Sequence, residues 1–155
     1  MKRFFNQYRM GFSLYGLIAF IIQELPYIPF LLWPPVNHPL GNNPASVPFL
    51  GALEYFGGIS TVALLIAVVQ KGTVKPAFKN RYFILAAVCL IIYYISWVFY
   101  FGGVTNGWLL VIGLSATVPI YYMSVSIWLN NRLALITGLI FFIGHTASNA
   151  ANFLL

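Results

Sequence analysis

The sequence predicts an all-α polytopic membrane bundle of five transmembrane helices, with the N-terminus cytoplasmic and the C-terminus outside. Three observations carry this. Hydrophobic residues make up 61% of the chain and charged residues only 6%, too little polar surface to cover a soluble domain of this size. Several apolar runs reach the roughly 20 residues that a bilayer core demands of a helix. These runs are continuously apolar, whereas barrel strands alternate with period two and each span about ten residues.

The spans fall at about 11–33, 47–70, 82–101, 108–129 and 133–155, forming a single transmembrane domain over residues 1–155. The connections hold the chain breakers: "PPVNHPLGNNPAS", "KGTVKPAFKN", "GGVTNG" and "NNR". No small-residue cleavage site follows the basic opening "MKRFFNQYR", so the first run reads as an uncleaved span. Within it, "FIIQELPYIPFLLWPP" places Glu24 just before Pro26 and Pro29. Each proline removes a helical hydrogen bond and clashes with the preceding turn, so the span should kink or unwind after Glu24. The second span carries Glu54 about two turns from its start. Cys89, the single cysteine, lies in the third span and reads as a small apolar packing residue. The fourth contains Ser115 and Thr117 ahead of a second expected break at Pro119. In the fifth, "GHTASNAAN" sets His145, Asn149 and Asn152 at i, i+4 and i+7 on one face, among small residues that let helices approach closely.

The net charge of +6 describes topology and gives no reason to expect nucleic acid as a partner. Lys2, Arg3 and Arg9 precede the first span, Lys71, Lys75, Lys79 and Arg81 lie between the second and third, and Arg132 lies between the fourth and fifth. All fall on one side of a five-span chain, which the positive-inside rule makes cytoplasmic. Anionic lipid headgroups can gather on the same face. Trp33 and Trp108 are expected at the outer interface and Trp128 at the inner one, as amphipathic anchors. Confinement of basic charge to one face, with compact loops, points to the cytoplasmic membrane of a prokaryote.

Both acidic residues of the chain, Glu24 and Glu54, fall inside spans. A charge at a helix centre costs about 2.5 to 3.5 kcal/mol on insertion, so an intramembrane carboxylate marks a functional site by default. Depth supports a common site. At about 1.5 Å of rise per residue, Glu24 lies about 13 Å and Glu54 about 10 Å below the outer ends of their spans, with His145, Asn149 and Asn152 about 15, 9 and 5 Å below theirs. Ser96, Ser115 and Thr117 fall at similar levels. The expected site is therefore an outward-facing cavity with ligand-binding residues Glu24, Glu54, His145, Asn149, Asn152, Ser115 and Thr117. Broken helices at membrane depth are a device transporters use for binding.

The function this predicts is binding, and in a stronger form transport, of a small polar, cationic or amphipathic ligand. The carboxylates would hold it and give it up on protonation. Five spans with no internal repeat do not make a complete inverted-repeat carrier, so transport would call for a homodimer. Two alternatives stand beside it. One is an intramembrane enzyme using Glu/His acid–base or metal chemistry, in which His38 could add a ligand. It lacks any H-E-x-x-H, G-x-S-x-G or C-x-x-C signature. The other is an accessory subunit that docks on another membrane protein through the small-residue face of the fifth span. No catalytic residue, metal or cofactor is assigned. The expected partners are the lipid bilayer, an unidentified small molecule, and a second copy or another membrane protein.

Overall fold

The computed structural model describes residues 7–36, 38–72 and 76–155. Lys2, Arg3 and Lys75 of the expected basic face lie outside them. A short strand β1 (Tyr8–Met10) leads into helix α1 (Leu14–Glu24), whose N-cap Ser13 accepts a hydrogen bond from the Gly16 amide at 3.1 Å. Helix α2 (Tyr27–Leu32) follows, ending before Pro34 and Pro35. A 3-10 turn (Pro39–Asn42) leads to α3 (Pro48–Ala67), which opens with proline in its first turn. Strand β2 (Val68–Gln70) then pairs antiparallel with β1, Tyr8 opposite Gln70. Helices α4 (Arg81–Phe101), α5 (Leu109–Trp128) and α6 (Arg132–Phe153) complete the chain. Asn80 caps α4 by accepting from the Tyr82 amide at 2.8 Å, and Asn131 caps α6 by accepting from the Ala134 amide at 3.1 Å.

The chain is all-α apart from the paired strands, which the sequence did not suggest. They form where residues 68–70, expected to finish the second span, leave the helix to pair with β1. Helices α3, α4, α5 and α6 are long and apolar enough to cross a membrane, as an integral membrane protein requires. The first expected span is instead two shorter helices separated at Leu25 and Pro26. Pro26 has no N–H to offer the Ile22 carbonyl four residues back. The Tyr94 hydroxyl of α4 donates to that oxygen at 2.6 Å, and the Leu25 amide approaches it at 3.4 Å. The break at Pro119 takes another form: the turns before it, Leu109–Ala116, are wide π-type turns, and ordinary α-helix runs from Thr117 through the proline.

Helix α5 is the centre of the bundle. Along its apolar window 78% of the residues are buried, against 17% to 33% in the other three long helices. Helix α4 packs on one side of it, and the antiparallel pair α3 and α6 on the other. That pair is joined through glycine: a Cβ on Gly57 would lie 2.4 Å from the Phe141 amide nitrogen, and one on Gly144 would lie 2.3 Å from the Glu54 nitrogen. Only residues without side chains permit so close an approach. Polar groups turn inward, with Gln23, Thr61, Ser115, Thr117, Ser126 and Asn149 all buried. Outward, α4 shows a stripe of exposed Ile84, Val88, Ile91, Ile95 and Val98 at helical spacing. Apolar outside and polar inside is the pattern of a bundle whose solvent is lipid.

Among the described basic residues, Arg9, Lys71, Lys79, Arg81 and Arg132 sit at one end of the bundle, where β1 meets β2 and the Arg132 amide donates to the Tyr8 hydroxyl at 3.2 Å. Trp33 and Trp108, 72% and 68% exposed, lie near the opposite end. Trp128 departs from the expected interfacial role. It is 6% exposed, packs against Tyr15, Phe78 and Phe83, and donates its indole N–H to the Ala77 carbonyl at 3.0 Å. Cys89 is buried and free.

Candidate functional site

Close contact of α3 and α6 at Gly144 sets Glu54 beside His145. The His145 Nδ1 lies 2.8 Å from the Glu54 Oε1, the single carboxylate contact with a basic side chain among the described residues. With Nδ1–H donating to the carboxylate, the ring is held in one orientation and Nε2 has no hydrogen-bond partner among the described residues. The ring also lies over Phe141, with centroids 4.9 Å apart. Its backbone carbonyl accepts from the Ser115 hydroxyl at 3.1 Å and from the Asn149 amide at 2.8 Å. Ser115 and Asn149 thus fix the backbone that presents the imidazole.

A cavity of about 500 Å³ opens between α1, α2, α3, α5 and α6. Its walls are mostly apolar and aromatic, with Phe20, Tyr27, Tyr122 and Phe141 among them, and its polar groups are Gln23, Glu24 and His145. Among the described residues, no lysine or arginine lines it. Glu24 enters because α1 ends there: the helix break frees the carboxylate from the crowded interior, leaving it half-buried. Among the described residues it has no ion-pair partner.

The expected site residues therefore divide into three groups. Glu24 and His145 share the cavity, and Glu54 stands behind His145 without lining it. Ser115 and Asn149 line, with His145, a separate void of about 30 Å³ that also touches Tyr27 and Trp97. Asn152 and Thr117 stand apart from both. Asn152 binds the loop before α3, accepting from the Ser46 amide at 3.1 Å, donating to the Pro44 carbonyl at 3.0 Å and bonding to the Asn43 side chain. Asn43 in turn donates to Asn149 at 2.9 Å. The asparagine face of α6 is thereby a clamp on that loop. Thr117 donates to the Gly113 carbonyl at 2.6 Å within its own helix. Among the described residues, no three His, Cys, Asp or Glu side chains converge as a metal would require.

Gln23 was not singled out by sequence. It is 2% exposed, donates to the Tyr93 hydroxyl at 3.0 Å and accepts from the Tyr122 hydroxyl at 2.6 Å, so α1, α4 and α5 meet on one amide. The paired tyrosines 93–94 and 121–122, each in the middle of an apolar run, are the signal that points to it. Tyr121 completes the pattern by donating to the Ala19 carbonyl at 2.8 Å. Comparison with protein families, curated proteins and solved structures gives no match. The functional reading therefore rests on the chemistry of this cavity.

Proposed function

We propose that this protein is a five-span membrane protein of the prokaryotic cytoplasmic membrane, N-terminus inside and C-terminus outside, that binds a small amphipathic cation in the cavity around Glu24. The observation that carries the reading is a carboxylate with no ion-pair partner among the described residues, in an apolar, aromatic cavity of about 500 Å³. That volume is in the range of small-molecule sites. An isolated carboxylate away from water is costly, and an incoming ammonium or amidinium offsets that cost, which a neutral ligand does not do. The faces of Tyr27, Tyr122 and Phe20 suit the rest of such a ligand, and aromatic faces also attract cations directly. Protonation of Glu24 removes the counter-charge and releases the ligand. Flux through the membrane would follow if two copies associate and expose the cavity alternately.

A matched ligand pair tests the reading: a quaternary ammonium with an aromatic body and its neutral carbon isostere, each added to purified protein while thermal unfolding is followed. The cation is expected to stabilise the wild type and leave Glu24→Gln unaffected. Equal stabilisation by the isostere would sink the proposal. The Glu54–His145 pair favours a second reading, an intramembrane acid–base site in which Glu54 orients His145 and Nε2 exchanges the proton. His145→Gln separates the two: cation binding survives it under the first reading.

A further inference from the structure

A second site lies on the other face of α1, toward the basic end of the bundle. Tyr15, Ile18, Ala19 and Ile22 fall at i, i+3, i+4 and i+7, and this face forms one wall of a groove of about 340 Å³. Helix α4 forms the facing wall, and the side of α5 closes the floor. Small side chains at Ala19, Ala86 and Ala87 give the groove its depth, and from Phe83 to Leu90 it runs about 10 Å along α4. Two of its three polar side chains are already used: the Tyr121 hydroxyl donates to the Ala19 carbonyl and the Trp128 indole to the Ala77 carbonyl, and Tyr15 is the third. What remains is a mostly apolar slot, with the Tyr15 hydroxyl its one further polar side-chain group.

The mouth is different. Phe78 and Phe83 frame it, and the two basic residues between them, Lys79 and Arg81, are both exposed. Arg81 rests its guanidinium over the Tyr82 ring, 4.9 Å from the centroid. The N-terminus of α4 adds its positive dipole end at the same level. No acidic side chain opposes this charge, because the two in the chain, Glu24 and Glu54, belong to the site on the other side of α1.

We infer that this groove is a binding site for an anionic phospholipid, with one acyl chain lying between α1 and α4 and the phosphate headgroup held by Lys79 and Arg81. Charge decides the occupant: an apolar slot alone would accept any chain, but a mouth with two cations and no anion favours a headgroup of net negative charge. The site is independent of ligand binding at Glu24.

Trp128 in the groove supplies the readout. Purified protein in detergent is titrated with phospholipids carrying brominated acyl chains, which quench tryptophan on contact, with either a phosphoglycerol or a phosphocholine headgroup. Phosphoglycerol lipid is expected to quench saturably at lower mole fraction, with a preference of about 5-fold for each basic residue engaged. Lys79→Gln with Arg81→Gln should bring its curve onto that of phosphocholine. Trp128→Phe should remove the saturable component and leave the nonspecific quenching of Trp33 and Trp108, since the fourth tryptophan, Trp97, is buried in the bundle. Coincident curves for the two lipids in the wild type, or a saturable component that survives in Trp128→Phe, would overturn the assignment.

Discussion

Gln23 and Glu24 are neighbours in sequence and both border the cavity, with opposite partners. A step of about 100° around the helix gives the Gln23 amide two tyrosine hydroxyls and leaves the Glu24 carboxylate with no ion-pair partner among the described residues. Replacing Gln23 by Leu leaves the Tyr93 and Tyr122 hydroxyls buried and short of a partner, and should cost about 1 to 3 kcal/mol of stability in detergent unfolding. Glu24→Gln removes a half-buried charge that has no ion-pair partner among the described residues, so its unfolding midpoint should equal or exceed that of the wild type while cation binding is lost. The contrast between the two variants distinguishes a structural amide from a functional carboxylate. Sequence singled out Glu24 because a carboxylate in an apolar run is conspicuous on cost alone. It passed over Gln23 because a neutral amide costs far less, and its importance comes from tyrosines 70 and 99 positions away.

At the scale of the helix, the break after Glu24 was legible and its repair was not. Pro26 predicts an orphaned carbonyl at Ile22, but only the packing of α4 against α1 brings the Tyr94 hydroxyl to it. Tyr94→Phe should therefore destabilise by about 1 kcal/mol, while Tyr55→Phe, at a residue 75% exposed, should be neutral in the same unfolding assay. The α3–α6 contact is governed by backbone approach. Gly144→Ala forces a Cβ against the Glu54 nitrogen, so the helices must separate, at a cost of about 1 to 3 kcal/mol. The same separation should uncouple the dyad. A double-mutant cycle between Glu54→Gln and His145→Gln should give a coupling of about 1 kcal/mol in the wild type and near zero in the Gly144→Ala background. Unchanged coupling would mean that the glycine contact does not position the pair.

For the whole molecule, the question is which end faces the cytoplasm. The described basic residues share one end of the bundle, and positive charge is retained inside. In a Cys89→Ser background, Val104→Cys in the α4–α5 loop should react with an impermeant maleimide added to intact cells, and Lys79→Cys only after permeabilisation. The opposite pattern would invert the topology. Labelling of both in intact cells would remove the membrane-spanning reading altogether.

The class of the molecule was determined by sequence alone, because hydropathy and run length are local properties that the bilayer reads segment by segment. The same holds for the positions of the four long helices, the helix break after Glu24 and the candidacy of both glutamates. Tertiary structure decided their surroundings. It put Glu24 in a cavity with no ion-pair partner among the described residues, gave Glu54 to His145, and turned Asn152 to the loop before α3. Depth along a helix can be counted from sequence, but direction around the helix axis depends on which neighbour packs there. Here that was set by the glycine contact of α3 with α6 and by the tyrosines that hold α1 to α4 and α5.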